Sequence, residues 1–267
     1  MALFCVAFAC IIFAYMYQLG LIGRPLKHSF SKKYFTEKWV RSDIHDFRYE
    51  LYPLATIEEL PALLRQHTHL IGLNVTIPYK REVIPFVHEL RDAAADIRAV
   101  NTIVVAPAGQ LTGYNTDVVG FERSLLRLLG SSVEDELRAL VLGTGGAARA
   151  VIHVLQNLNI PCHSVSRRPG TDQLGYADLD RKTITDHRLI VNTTPLGTFP
   201  AVDQAPDLPY AALSSRHFLF DLVYNPAETR FLRHGRERGA KTTNGYDMLV
   251  GQAEAAWEIW QAALADR

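Results

Sequence analysis

Val141-Leu142-Gly143-Thr144-Gly145-Gly146-Ala147-Ala148 is a short apolar run that breaks into glycines. It reads as a buried strand entering a tight turn that opens a helix. Gly143, Gly145 and Ala148 satisfy the pattern Gly-x-Gly-x-x-Gly/Ala. In such a turn the first glycine permits the bend, the second lets backbone approach a pyrophosphate, and the third small residue lets helix and strand pack closely. The helix N-terminus then offers unpaired N–H groups and the positive end of its dipole to phosphate. Glycines also occur at strand–helix turns for purely geometric reasons, so the flanks decide. Downstream, His163–Ser166, Leu189–Asn192 and Phe218–Asp221 are apolar runs of strand length, with Arg138–Leu142 opening the series. Strands spaced this way predict a parallel sheet flanked by helices.

The end of the strand after the fingerprint selects the dinucleotide. An NAD site places an acidic residue there, about twenty residues on, to hold the ribose 2′-hydroxyl. This chain has Ser166-Arg167-Arg168. Two guanidinium groups and a hydroxyl suit a 2′-phosphate, which points to NADP. A solvated basic turn would look the same in isolation.

Upstream lies a second α/β series. Tyr17–Ile22, Phe47–Leu51 and Leu70–Val75 read as strands, with helices near Ser31–Arg41 and Ile57–Gln66. Pro61 leaves the start of the latter open. Val100–Val105 and Gln110–Tyr114 flank Ala108-Gly109 as a hairpin, Val119–Leu129 reads as a connecting helix, and Met248–Leu264 has apolar residues at helical spacing. The strand ends of this first lobe carry polar cassettes. Asn74, Thr76 and Lys80 stand in Asn74-Val75-Thr76-Ile77-Pro78-Tyr79-Lys80, Asn101 follows Ala99-Val100, and Asp117 ends Asn115-Thr116-Asp117. A lone Lys after a Pro is ordinarily a solvated surface group, and Asn and Asp favour turns for their own reasons. Together at strand ends they predict a cleft holding a cation and a carboxylate near a dinucleotide, the equipment of a carbonyl/alcohol oxidoreductase. Ser29 and Ser31 precede a helix, where hydroxyls beside free N–H groups can hold a carboxylate, although capping explains a serine there as well.

Composition narrows the classes. Lys+Arg and Asp+Glu are each 28, so the formal charge is zero. Without a basic surplus, nucleic acid is not the expected partner. Cysteines number 3, with no Cys-x-x-Cys, which fits a reduced cytoplasmic protein. No histidine spacing suggests a metal site. Met1–Tyr15 is uncharged and almost wholly apolar. It lacks the basic start of a signal peptide and is short of the roughly 20 residues of a membrane span. An upstream start codon, with the working protein beginning at Met16, is the simpler reading, and a membrane-directing tail is its alternative.

At Lys80, Asp117 and their cassettes the chain resembles the shikimate dehydrogenases, from about Tyr17 onward. The resemblance implies an α/β protein of two lobes: an N-terminal substrate domain over 16–118, with 240–267 returning to it as a C-terminal helix, and a Rossmann-like NADP domain over 119–239. It implies Lys80 and Asp117 as catalytic, and Ser29, Ser31, Asn74, Thr76, Asn101, Tyr224 and Gln252 as substrate contacts. On the cofactor side it implies Gly143, Thr144, Gly145, Gly146, Ala147, Ser166, Arg167, Arg168, Leu222 and Gly245. Read from residue type alone, Tyr224 would be core and Gln252 helix surface. The family's usual Asn-Arg-Thr is Ser166-Arg167-Arg168 here, which keeps Arg167 and adds charge. The implied activity is NADPH-dependent, reversible reduction of 3-dehydroshikimate to shikimate on the chorismate route to aromatic amino acids. The expected partners are the small substrate and NADP, with no nucleic acid or membrane, in a monomer or homodimer. A quinate/shikimate dehydrogenase using NAD(P) and a non-catalytic regulator on the same scaffold are the alternatives. The Arg pair argues against NAD, and intact Lys80 and Asp117 argue against the regulator.

Overall fold

Leu70–Val75 is buried at every residue, as a strand must be when sheet neighbours flank it and helices cover both faces. The computed structural model describes residues 16–26, 29–130 and 137–267. The apolar stretch Met1–Tyr15 and His28 lie outside the described residues. Packing divides the chain into two units. One comprises the described residues up to Leu90, with Val100–Gly113 and Trp260–Arg267; the other comprises Arg91–Ala99 and Tyr114–Ile259.

The first unit contains β1 (Tyr17–Gly23), α1 (Phe30–Arg41), β2 (Phe47–Pro53), a 3₁₀ turn Ile57–Glu59, α2 (Leu60–Gln66), β3 (Leu70–Val75), β4 (Glu89–Leu90), β5 (Thr102–Val105) and β6 (Leu111–Tyr114). Pro61 sits in the first turn of α2, where no N–H is needed from it, and the 3₁₀ turn supplies the run-in. The sheet order is β2-β1-β3-β5-β6-β4. β1 is parallel to both β2 and β3, and β5 runs antiparallel to β3. β5 and β6 join through a turn in which Gly109 takes a φ of 85°. Phe35 of α1 stacks on Tyr49 at 5.0 Å and meets Trp260 at 5.7 Å. Trp260 lies over Gly72, where an added Cβ would stand 2.1 Å from its Nε1, and that Nε1 donates to the Ile103 carbonyl at 2.9 Å.

The second unit contains α3 (Ala93–Ile97), α4 (Asp117–Leu129), β7 (Ala139–Leu142), α5 (Gly146–Asn157), β8 (Cys162–Ser166), β9 (Gln173–Gly175), α6 (Arg181–Asp186), β10 (Leu189–Asn192), β11 (Phe218–Asp221), α7 (Arg230–Glu237), β12 (Lys241–Thr243) and most of α8 (Tyr246–Ala265). Its strands are all parallel in the order β12-β11-β10-β7-β8-β9. That is the doubly wound order, reversing between β7 and β10. Alternate residues feed two cores. Ala139, Val141, Leu189 and Val191 join Phe121 and Leu155, whereas Leu140, Leu142 and Ile190 join Leu219 and Phe231. Both faces of the sheet are therefore covered. Among the described residues no helix is long and apolar enough to cross a membrane.

Candidate active site

In the second unit the fingerprint occupies the turn from β7 into α5. Gly143 has a φ of 112°, and a Cβ there would stand 2.6 Å from the Thr193 hydroxyl oxygen. That hydroxyl donates to the Leu142 carbonyl at 2.6 Å, so the loops after β7 and β10 meet where the strand order reverses. Crevices at such reversals are where open α/β sheets take ligands. Ala148 is buried, as close helix–strand packing requires. Gly145 and Gly146 differ from Gly143: an added Cβ would meet nothing within 4 Å at either. Gly145 has an ordinary extended φ of −77°, and no side chain caps the α5 N-terminus. Neither the protein's own packing nor backbone strain calls for glycine at these two positions. Open space beside uncapped N–H donors fits a pyrophosphate.

β8 ends in Ser166. Its hydroxyl donates to the Arg168 carbonyl at 3.0 Å and accepts from the Arg168 N–H at 3.1 Å. Ser166 therefore shapes the turn, and the guanidinium groups of Arg167 and Arg168 remain exposed with no ion pair among the described residues. Such a pair on a strand next to β7 fits a 2′-phosphate. Leu222 follows β11, and its N–H donates to the Asn192 carbonyl at 2.9 Å. Gly245 has a packing reason of its own, since a Cβ would stand 2.1 Å from the Leu222 carbonyl oxygen.

At the end of β11 lies a group that sequence reading missed. Asp221 is wholly buried, and burial pushes its carboxyl up to about 6 against the pull of its hydrogen bonds to Thr229, Val223 and Asn192. Asp117 opens α4, where the helix dipole favours an anion, and its N–H donates to Asn115 Oδ1 at 3.2 Å. The helix starts two residues earlier than its apolar pattern suggests because Asn115 supplies that acceptor. One turn along, Gly120 lets α8 approach so closely that a Cβ would stand 2.3 Å from the Met248 carbonyl. Gln252 is buried against it, while Tyr224 is 38 % exposed. Residue type alone misplaces both.

In the first unit Ser29 caps α1, accepting weakly from the Lys32 N–H at 3.4 Å. Ser31, two residues further on, is not the cap but hydrogen-bonds Tyr49. Burial holds the Tyr49 hydroxyl far above its usual range, so it stays a donor, and it donates to Asn74 Oδ1 at 2.7 Å. Asn74 Nδ2 donates to the Asn101 carbonyl and the Thr102 hydroxyl oxygen, both at 3.2 Å, and Thr102 donates to Asn101 Oδ1 at 3.1 Å. Ser31, Asn74 and Asn101 thus share one buried network that Tyr49 and Thr102 complete. Tyr49 was legible as a strand residue whose hydroxyl needs a partner when buried. Thr76 bonds backbone to backbone with Ile22 at 3.0 Å. Lys80 is half-buried on the turn after β3, and its carbonyl accepts from the Val100 N–H at 2.7 Å, tying its cassette to that of Asn101.

A doubly wound unit with an open glycine turn, joined in one chain to an α/β unit with a buried polar network, defines a dinucleotide-binding α/β protein of two units. Comparison with known proteins narrows the class. The family model described as the shikimate dehydrogenase substrate binding domain matches residues 21–103. The chain is 39% identical to the shikimate dehydrogenase (NADP(+)) of Carboxydothermus hydrogenoformans over 90% of both chains. A chorismate mutase/shikimate 5-dehydrogenase fusion protein from Clostridium acetobutylicum is 35% identical, with a TM-score of 0.80 over 92% of this chain and 91% of that one. Shikimate 5-dehydrogenase from Thermus thermophilus, solved with NADP(H) and shikimate, is 29% identical, with a TM-score of 0.78 over 92% and 94%. The chain belongs to the shikimate dehydrogenase family.

Proposed function

We propose that this chain catalyses the NADPH-dependent, reversible reduction of 3-dehydroshikimate to shikimate. The observation that carries the reading is the open space at Gly145 and Gly146 beside uncapped helix N–H groups, together with Arg167 and Arg168 rather than an acid just after the next strand. When bound, NADPH supplies the hydride that reduces the carbonyl carbon. The α5 N-terminus holds the pyrophosphate, Arg167 and Arg168 hold the 2′-phosphate, and Leu222 and Gly245 bound the cofactor side. Reduction puts negative charge on the carbonyl oxygen, and the Lys80 ammonium both stabilises that charge and delivers the proton. Asp117 accepts a hydrogen bond from a substrate hydroxyl. Ser29 and Ser31 bind the substrate carboxylate, while Thr76, Asn101, Tyr224 and Gln252 bind ring hydroxyls. Asn74, with both amide hydrogens taken, acts by holding Asn101 and Thr102. The protein acts in the cytoplasm.

The deciding assay follows nicotinamide absorbance with shikimate or quinate against NADP⁺ or NAD⁺. Shikimate with NADP⁺ should turn over fastest. Preference for quinate with NAD⁺ would overturn the substrate and cofactor assignment, and no turnover with any pair would leave a binding protein.

A further inference from the structure

We infer that Asp221 is a positioning residue for the cofactor, its carboxylate fixing the loops after β10 and β11 against the fingerprint; the inference rests on the cofactor reading above. Its Oδ1 accepts from Asn192 Nδ2 at 2.9 Å and from the Val223 N–H at 3.0 Å. Its Oδ2 accepts from the Thr229 hydroxyl at 2.6 Å. Each contact reaches a different segment. Asn192 passes the constraint to the loop after β10, its Oδ1 accepting from the Thr194 N–H at 3.1 Å and hydroxyl at 2.6 Å. Thr193, next in line, supplies the hydroxyl that packs beneath Gly143 and bonds Leu142. Val223 anchors the loop that carries Leu222, and Thr229 caps α7 through the Leu232 N–H at 3.3 Å. All of these donors are neutral, and among the described residues no cation pairs with the carboxylate.

A wholly buried carboxylate compensated by neutral donors alone is a costly way to join three segments if stability is the only end. An ionised carboxylate accepts from all three donors with no hydrogen of its own to place, whereas a neutral acid must also find an acceptor. The group therefore sets geometry at the sheet's reversal point, where the dinucleotide is to lie.

Asp221→Asn keeps the shape and removes the charge. NADP⁺ binding should weaken about tenfold or more, as expected when charge-assisted positioning is lost. KM for NADPH should rise in step, KM for shikimate should change less than about twofold, and Tm near neutral pH should stay within about 4 °C. Thr194→Val leaves the contacts of Asp221 intact and cuts the far end of the relay; it should weaken NADP⁺ in the same direction, and it carries the test alone if Asp221→Asn does not fold. Unchanged NADP⁺ affinity in the variants, or a loss of Tm that tracks the loss of affinity, would reduce Asp221 to a structural group. Failure of the unaltered protein to bind NADP⁺ would instead end the cofactor reading, and this inference with it.

Discussion

Lys80 stands on a turn whose backbone is held by Val100, so its ammonium is carried by a fixed strand end. If it is the proton donor, Lys80→Ala removes charge stabilisation and general acid together, on the order of 10² to 10⁴ in rate. The expected outcome is a collapse of kcat with a much smaller change in KM for shikimate, because the interaction is used mainly in the transition state. Steady-state kinetics with saturating NADP⁺ check this, and near-normal kcat would show that another group is the acid. The network from Ser31 through Tyr49 and Asn74 to Asn101 makes the complementary point. Most of the polar side chains there were readable as a set, but not their division of labour. An amide that binds substrate and one that holds its neighbour look alike in sequence.

Elements were legible where burial imposed a pattern. β3, β10 and β11 are continuous apolar runs, and β7 was fixed by the glycines after it. β9 and β12 were not visible. They are edge strands of three residues, Gln-Leu-Gly and Lys-Thr-Thr, too short and too polar to show a period. Tyr224 and Gln252 failed residue-type reading for a different reason. Gly120 and Gly251 bring α4 and α8 together, with a Cβ on Gly251 standing 3.1 Å from the Gly120 Cα, and that approach buries an amide that a wider crossing would leave in water. One further element contact carries a prediction. His187 caps the end of α6; its Nδ1 lies 2.8 Å from the Thr183 carbonyl and its Nε2 lies 3.0 Å from His163 Nδ1. The carbonyl requires a proton on Nδ1, so Nε2 accepts from His163. Burial, more than the nearby His163 and Arg138, lowers the His187 pKa. A depressed histidine binds its proton more readily unfolded, so its contribution is present above about 6.5 and is lost as pH falls below that value. His187→Gln should therefore lower Tm at pH 7.5 and lose that deficit by about pH 5. A deficit independent of pH would refute the assignment.

At the scale of the molecule, the first unit is assembled from three separate stretches, the last of them Trp260–Arg267. All of Tyr114–Ile259, the long stretch of the second unit, comes before Trp260 in sequence. Trp260 fills the notch over Gly72, meets Phe35 at a tilt and satisfies the Ile103 carbonyl. Its removal leaves both a void and an unpaired acceptor. Trp260→Ala should cost about 3–5 kcal/mol, read as a lower midpoint in urea, and a fragment ending at Gly113 should not fold cooperatively. A cost below about 1 kcal/mol would show that the terminal helix is dispensable to the unit.

The open space beside Gly145 has a consequence for substitution. Its φ of −77° and ψ of −172° suit alanine without strain, and a methyl group there touches nothing. Alanine there stiffens the unfolded chain, but Gly145 is the N-cap of α5, where alanine serves less well than glycine, so the two effects oppose and stability should change little. If the space belongs to a pyrophosphate, that same methyl should obstruct it. Gly145→Ala would then bind NADP⁺ less well with little change in Tm, and an alanine that left affinity intact would show the space is not the ligand's. On that reading the bare α-carbon is there for a ligand's sake, since no neighbour among the described residues fills the room beside it.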